Sequence, residues 1–466
     1  MQNLLNYTIK SVFFTYGFLS FILFMKCLLE SSNNSSIFLI SSIVSFIVGY
    51  FYSLLFSNSN LKTKSLISTI FFSWLLLILI SSIPFFSLIK ILDFNKIIFI
   101  STSYLTTTGF NLNFFNSLKE YDSLTIWISI IQLLGGFYSI LTFILFFLVL
   151  FNKHDKLVLF NKGLIVRFYI YYFLLFIFYI LIINFFTNDF FNSFLIASAI
   201  MSTGGAVGEN GHLLDFYFSE SSFLIIYSFL IFLTIFILPI FLYIHNNNIL
   251  KVYYFKILKR SLFLFIILAL FFIILIKFSI LNFQENIFIF LSLLTTTGLM
   301  PNNASNLLVL QKLYPLFFIF LLLLVTGSFS GSSSGGLKID RVSILFIKIK
   351  EELIKLTLRH KIYGVELIKK GSNQKELNSL YALIALGIFI IIFGVLFLSL
   401  SGKSLFDSFV LAIAALTNTG DGFLHLNNVD LIDNSNLILI LNFLMICGRF
   451  EFIGYLLIFQ KLTLKN

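Results

Sequence analysis

Charge is scarce in this sequence. Asp, Glu, Lys and Arg make up 11% of its 466 residues, where a soluble domain carries about 25%. Hydrophobic residues make up 59%, with 64 Phe among them, and mean hydropathy is +1.01. There is too little polar surface to cover a soluble core. Length alone would allow about three soluble domains, and this composition excludes them. Cysteine is nearly absent: Cys27 and Cys447 both lie in apolar stretches, which rules out a disulfide framework and a thiol metal site. The five histidines, His154, His212, His245, His360 and His425, are scattered with no pair at ligand spacing, which argues against a metal enzyme. Within the apolar stretches there is no paired carboxylate or nucleophile constellation either. The abundance of Phe, Ile, Leu, Asn and Lys over Ala and Val reads as nucleotide bias, so single Phe residues carry little functional weight.

What is present is long apolar runs. A spanning helix needs about 20 mostly apolar residues. Ten such runs occur, at 11–29, 36–56, 66–89, 124–151, 164–186, 222–245, 258–281, 313–336, 378–400 and 436–460. No small-residue cleavage pattern follows the first, so that helix, with Lys10, is expected to stay in the mature protein. An even number of spans places both termini on one side. The loops 57–65, 152–167, 246–260 and 338–376 hold 20 of the 31 Lys and Arg. The opposite loops, 87–123, 187–222, 277–312 and 402–436, hold 6, and they carry 12 of the 20 acidic residues. By the positive-inside rule the basic loops and both termini are cytoplasmic. Anchoring of this kind accounts for the net charge of +11, so nucleic acid is not an expected partner.

The outer loops repeat one pattern, small hydroxyl residues followed by glycine. They read Tyr104-Leu105-Thr106-Thr107-Thr108-Gly109-Phe110, Ile200-Met201-Ser202-Thr203-Gly204-Gly205, Leu294-Thr295-Thr296-Thr297-Gly298-Leu299 and Leu416-Thr417-Asn418-Thr419-Gly420-Asp421. Aligning Gly109, Gly204, Gly298 and Gly420 gives intervals of 95, 94 and 122, the last lengthened by the loop 338–376. Each pattern follows a segment too short to cross a bilayer, at 94–105, 190–201, 284–294 and 405–416. These suit re-entrant half-helices, with Asp93, Asp189, Gln284, Glu285, Ser404 and Asp407 at or near their starts. One Thr-Thr-Gly is an ordinary turn, but four in the same setting are not. Irregular backbone at membrane depth is tolerated where it lines a cavity or is buried in protein. Four such loops around one axis would present rings of oxygens able to replace the hydration shell of a K⁺-sized cation, with half-helix C-termini aimed at it.

The candidate filter is therefore Thr107, Thr108, Gly109 and Phe110; Ser202, Thr203, Gly204 and Gly205; Thr296, Thr297, Gly298 and Leu299; and Asn418, Thr419, Gly420 and Asp421. The run 327–336 holds four Gly, five Ser and one Phe inside the eighth span, where Gly costs up to about 1 kcal/mol relative to Ala. It reads either as tight small-residue packing or as an unwound gate, with Gly327, Ser330, Gly331, Gly335 and Gly336 as its candidate residues. Arg449, in the last span, needs carbonyls, water or a partner helix. It reads as a structural tie, as a positive barrier below the filter, or as both. Residues 344–358 have helical apolar spacing, which suits a helix on the inner leaflet or a docking surface.

The chain resembles the Trk/Ktr/HKT superfamily of potassium transporters, in its Trk-type membrane subunit. The resemblance is carried by Lys62-Thr63-Lys64 through Ser73-Trp74-Leu75, by Trp127 and Gln132-Leu133-Leu134-Gly135-Gly136, by the run from Gly327 to Gly335-Gly336-Leu337-Lys338, and by Gly448-Arg449-Phe450-Glu451. Two leading helices favour the Trk type over the eight-helix Ktr type. The resemblance implies an all-α polytopic membrane protein of about ten transmembrane helices. Four pseudo-symmetric helix–pore-loop–helix repeats would surround a central ion pore. Two extra N-terminal helices (1–60) then precede repeats at 61–155, 156–250, 251–376 (with the gate loop and basic extension) and 377–466. It further implies K⁺ uptake across the plasma membrane and no enzymatic activity. The chain would hold no cofactor of its own, would form a homodimer in membrane lipid, and would be gated by a cytosolic Trk/Ktr-type nucleotide-binding regulatory ring. Glycine at 109, where a Ser goes with Na⁺ preference, favours K⁺. A Na⁺-permeable or Na⁺/H⁺-coupled monovalent cation transporter of the same fold is the alternative. Asp421, where a small or apolar residue is expected, and the Ser-rich gate loop depart from the family pattern.

Overall fold

A computed structural model describes residues 2–30, 35–55, 63–89, 93–111, 122–151, 162–207, 221–244, 259, 261–270, 272–273, 282–301, 314–357, 374–426 and 435–449. The described chain is helical. Among the described residues six helices are long and apolar enough to span a membrane: Leu5–Leu29, Ser35–Leu55, Thr69–Leu88, Asp122–Leu145, Lys162–Thr187 and Leu380–Leu400. These are the apolar parts of α1 (Gln2–Leu29), α2 (Ser35–Leu55), α3 (Thr63–Leu88), α5 (Asp122–Phe151), α6 (Lys162–Thr187) and α14 (Gln374–Leu400). Serines and threonines sit in these helices without stranding their hydroxyls. Thr8 Oγ1 donates to the Leu5 carbonyl at 2.7 Å and Ser41 Oγ to that of Phe38 at 2.9 Å, the back-bonding that lets a polar side chain live in an apolar helix.

Two of the expected spans take a different form. The span 222–245 is bent by 60° between α8 (Ser221–Thr234) and α9 (Ile237–Ile244). Pro239 has no N–H for the Ile235 carbonyl. Before it, Ile235 N and Phe236 N tighten onto the carbonyls of Phe232 and Leu233, three residues back. The span 313–336 is helical only over α12 (Tyr314–Thr326), because Gly327 turns the chain into the left-handed region at φ 60°. Of 258–281, the described helix is α10 (Ser261–Leu270). Of 436–460, it is α17 (Ser435–Arg449), and 450–466 lie outside the described residues.

Four short helices, α4 (Phe94–Leu105), α7 (Phe190–Ser202), α11 (Phe283–Leu294) and α15 (Leu405–Leu416), sit between the longer ones, and a six-residue helix, α16 (Asp421–Leu426), follows α15. Each packs on long helices of its own unit, α4 on α3 and α5, α7 on α6 and α8, α11 on α12, and α15 on α14 and α17. The later helix of one unit also packs on the short helix of the next: α5 on α7, α8 on α11, and α17 back on α4. That last contact closes the circle. The leading pair, α1 and α2, pack through small residues, with Gly49 against Phe13 and Ser45 Oγ donating to the Phe13 carbonyl at 2.6 Å. Trp127 of α5 joins the pair to the circle. Its ring meets Tyr16 and Phe38 at 5.3 and 5.7 Å, and its Nε1 donates to the Ser81 carbonyl at 3.2 Å.

Candidate functional site

The four short helices run into four loops built alike. Asp189 caps α7 by accepting from Asn192 N at 3.1 Å, and Ser404 caps α15 by accepting from Asp407 N at 3.1 Å. Glu285 accepts from Asn282 N at the start of α11, while Asp93 precedes α4 without a side-chain cap bond. At the other ends, a hydroxyl bonds the carbonyl four residues back in every unit. Thr106 reaches Thr102, Ser202 reaches Ser198, Thr295 reaches Leu291 and Thr417 reaches Ile413, at 2.6–2.8 Å. Two residues further on, a backbone N–H reaches five residues back: Thr108 to Ser103, Gly204 to Ala199, Thr297 to Ser292 and Thr419 to Ala414. Between these bonds, Thr107, Thr203, Thr296 and Asn418 all adopt φ of 50–55°, and Gly109, Gly205, Gly298 and Gly420 adopt φ of 66–77°.

These repeating dihedrals align the loops residue by residue and correct the sequence alignment of the second. Its turn glycine is Gly205, not Gly204, so the intervals are 96, 93 and 122. Ser202 stands with Thr106, Thr295 and Thr417 on the helix end. Thr203, Gly204, Gly205 and Ala206 stand with residues 107–110, 296–299 and 418–421.

The aligned glycines close a ring. A Cβ on Gly109 would fall 2.2 Å from the Gly204 carbonyl oxygen, one on Gly205 1.8 Å from that of Thr297, one on Gly298 2.1 Å from that of Thr419, and one on Gly420 1.9 Å from that of Thr108. Each loop thus abuts the carbonyl of the next, in chain order, and the fourth abuts the first. No residue with a Cβ fits there without moving backbone. Behind the ring, Ser103 and Ser292 donate to the Phe110 and Leu299 carbonyls at 3.0 and 2.8 Å. Phe110 turns its ring onto Phe99, and Gln132 Nε2 donates to the Ala206 carbonyl at 3.2 Å.

Asp421 is buried at the junction of the fourth and first loops, where its Oδ2 accepts from Asn111 N at 2.6 Å. Asn418 spans the same junction: its Nδ2 donates to Thr108 Oγ1 at 2.9 Å and to the Met445 carbonyl at 3.0 Å.

Under the ring lies the segment 327–338, fully non-helical, with Gly327, Gly331 and Gly336 at φ of 60°, 90° and 76°. It is bonded to the loops above. Thr203 Oγ1 donates to Ser333 Oγ at 3.3 Å, which donates to the Met201 carbonyl at 3.3 Å. Gly335 N donates to Thr296 Oγ1 at 2.8 Å. Ser330 donates through N and Oγ to Asp340, at 2.9 and 2.5 Å. Arg449 completes this layer. Its guanidinium, buried at the end of α17, donates to the Thr106 carbonyl, the Thr107 hydroxyl and the Ser333 carbonyl. So the candidate gate residues and the candidate filter residues form one hydrogen-bonded body. Asn111, Gln132 and Lys338 belong to it as well; in the sequence reading Gln132 and Lys338 have a place in the resemblance but no role in the site, and Asn111 has neither. For Gln132 a signal was there, an amide inside an apolar span.

Circular packing of four units, each with a short helix and a loop at the centre, together with six long apolar helices among the described residues, defines an all-α polytopic membrane protein. Comparison with known proteins narrows this. Residues 309–465 match the family model described as TrkH, cation transport protein. The Trk system potassium uptake protein TrkH of Escherichia coli strain K12 is 26% identical over 190 residues, 39% of this chain and 36% of that protein's length. The protein of the same description from Salmonella typhimurium is 28% identical over 177 residues, 36% of this chain and 34% of its own. The matched sequence therefore spans about a third of the length of these relatives. Across nearly the whole chain, the crystal structure of the potassium transporter TrkH from Vibrio parahaemolyticus has the same fold, with a TM-score of 0.79 over 97% of this chain and 98% of that one at 19% identity. Together these findings give the chain the fold of that transporter and, over its C-terminal third, sequence similarity to the TrkH family.

Proposed function

We propose that this chain takes up K⁺ across the plasma membrane through a pore whose selectivity filter is the ring of four loops. The observation that carries this reading is the cyclic abutment of Gly109, Gly205, Gly298 and Gly420 on the neighbouring loop's carbonyls. Glycine at these points lets four backbones converge on one axis, and a convergent set of carbonyl and hydroxyl oxygens can stand in for the water around a K⁺ ion. The short helices bring their negative C-terminal ends to the same place. The relatives described as potassium uptake proteins support K⁺ as the ion.

In this reading the segment 327–338 is the gate and Arg449 a positive barrier that also braces it. The basic loops and both termini face the cytoplasm. There α13 (Ile339–Thr357) follows the gate directly and presents Phe346, Ile349 and Leu353 on its surface. A cytosolic nucleotide-binding ring docking on this helix would bias the gate if it bound one gate state more tightly than the other. The protein would act as a homodimer. Uptake of radioactive Rb⁺ into a bacterium lacking its own K⁺ transport tests the transport activity: accumulation over a vector control is the expected result, and none from well-expressed protein rejects it.

A further inference from the structure

Lys338 is a residue that the filter and gate assignments leave without work. In the sequence it is one of ten basic residues of an inner loop, ordinary topological anchoring. In the structure it is 0% exposed. Its φ of 72° lies in the left-handed region, which non-glycine residues rarely enter. From there the side chain reaches back into the gate segment. The ammonium donates to the carbonyls of Ser332 (3.3 Å) and Ser334, and to the hydroxyls of Ser334 (3.1 Å) and Ser332 (3.5 Å). Those hydroxyls are joined to each other at 2.8 Å, and Ser328 Oγ bonds both. The ligands are thus carbonyl and hydroxyl oxygens on short turns of backbone, the donor chemistry that substitutes for water around K⁺. Ser332 and Ser334 also line a small cavity with Ser139, Thr142, Phe143, Gly448 and Arg449, on the side of the gate segment where Arg449 holds the first filter loop.

We propose that this serine cage is a second monovalent-cation site and that Lys338 is its tethered occupant, an internal ammonium that excludes K⁺ while the gate segment keeps its present form. An ammonium and a K⁺ ion carry the same charge and are close in size, so oxygens arranged around one suit the other. The site rests on the proposed pore, which supplies the ion. It accounts for the Ser-rich composition of the segment, since Ser328, Ser332 and Ser334 build the cage. It also ties occupancy to regulation. Lys338 immediately precedes α13, and Asp340 in the first turn of α13 holds Ser330. A displacement of α13 would therefore draw the ammonium out and leave the oxygens to a passing ion.

The test uses Tl⁺, a K⁺ surrogate located by anomalous scattering, on crystals of the full chain as wild type and as Lys338→Gly. Glycine suits the left-handed backbone at 338, so this variant empties the cage without adding strain. Lys338→Ala serves as the second variant. The expected result is Tl⁺ in the filter of every protein, and in the serine cage of the variants alone. The cage signal should vanish again when Ser332→Ala and Ser334→Ala are added. Tl⁺ in the filter but not in the cage of either variant overturns the proposal and leaves the pore standing, as does Tl⁺ in the cage of the wild type. No Tl⁺ in any filter overturns the pore reading itself.

Discussion

Gly204 and Gly205 are adjacent, and the ring needs only one of them. At Gly205 a Cβ would meet the Thr297 carbonyl oxygen at 1.8 Å with φ at 66°, so both the neighbouring backbone and the residue's own are in the way. At Gly204 it would meet the end of the Gln132 side chain at 2.8 Å, and φ is not left-handed. The left-handed conformation alone costs a non-glycine residue about 1–2 kcal/mol. Gly205→Ala should therefore lower Rb⁺ over Na⁺ discrimination by about tenfold or more, 1.4 kcal/mol being a factor of ten. Gly204→Ala should stay near wild type. Paired isotope uptake of the two variants measures this, and an equal loss from both would reject the alignment. Gly109→Ser is the same experiment in the first loop, and discrimination should fall there too.

At Arg449 the prediction concerns charge. Removing it in Arg449→Ala lowers Coulomb repulsion of a passing cation, and cation flux in proteoliposomes should rise. A folded variant with reduced flux would show that its bonds to Thr106, Thr107 and Ser333 matter more than its charge. The existence of a special Arg was legible in the sequence, because a guanidinium inside an apolar run needs an explanation. The glycine alignment was not, since a Gly-Gly pair offers two equal choices that only the dihedrals distinguish. Nor was Lys338, because a lysine at the foot of a span looks like every other anchoring lysine.

Among the elements, the four short helices were the most legible. Their bounds follow from a cap at one end and a hydroxyl-glycine turn at the other, and the structure places all four within a residue or so of the sequence ranges. The break after Thr326 was legible as a composition, since ten residues of Gly, Ser and one Phe do not sustain a helix. The bend near Pro239 was not read, because the span's hydropathy continues through it. The segment 327–338, the proposed gate, touches the second and third loops through Ser333 and Gly335. Deleting 328–334 should raise basal cation flux in proteoliposomes. Wild-type or lower flux from well-expressed protein would make the segment packing. Helix α13 carries the Lys348–Glu352 pair at 3.6 Å, with the Glu352 side chain exposed. Reversing the charges at Lys348, Lys350 and Lys355 should abolish co-purification with the nucleotide-binding subunit, and undiminished binding would remove α13 from the docking surface.

For the molecule as a whole, the fourfold plan was readable because each repeat had to solve the same problem. A backbone stretch at membrane depth must be paired or buried, and the sequence marks each solution with a short helix and a glycine. How the four units meet was not readable, because that is a property of backbones from four distant segments: α17 packs against α4, and Gly420 against the Thr108 carbonyl. Closure of that ring is the observation on which the proposed filter rests. The most direct measurement is Rb⁺ flux into proteoliposomes of the purified chain, with Na⁺ or K⁺ as competitor. K⁺ should suppress Rb⁺ entry at concentrations where Na⁺ leaves it unchanged, and Gly205→Ala should erase that difference. Equal suppression by both ions in the wild-type protein would contradict a K⁺-selective filter.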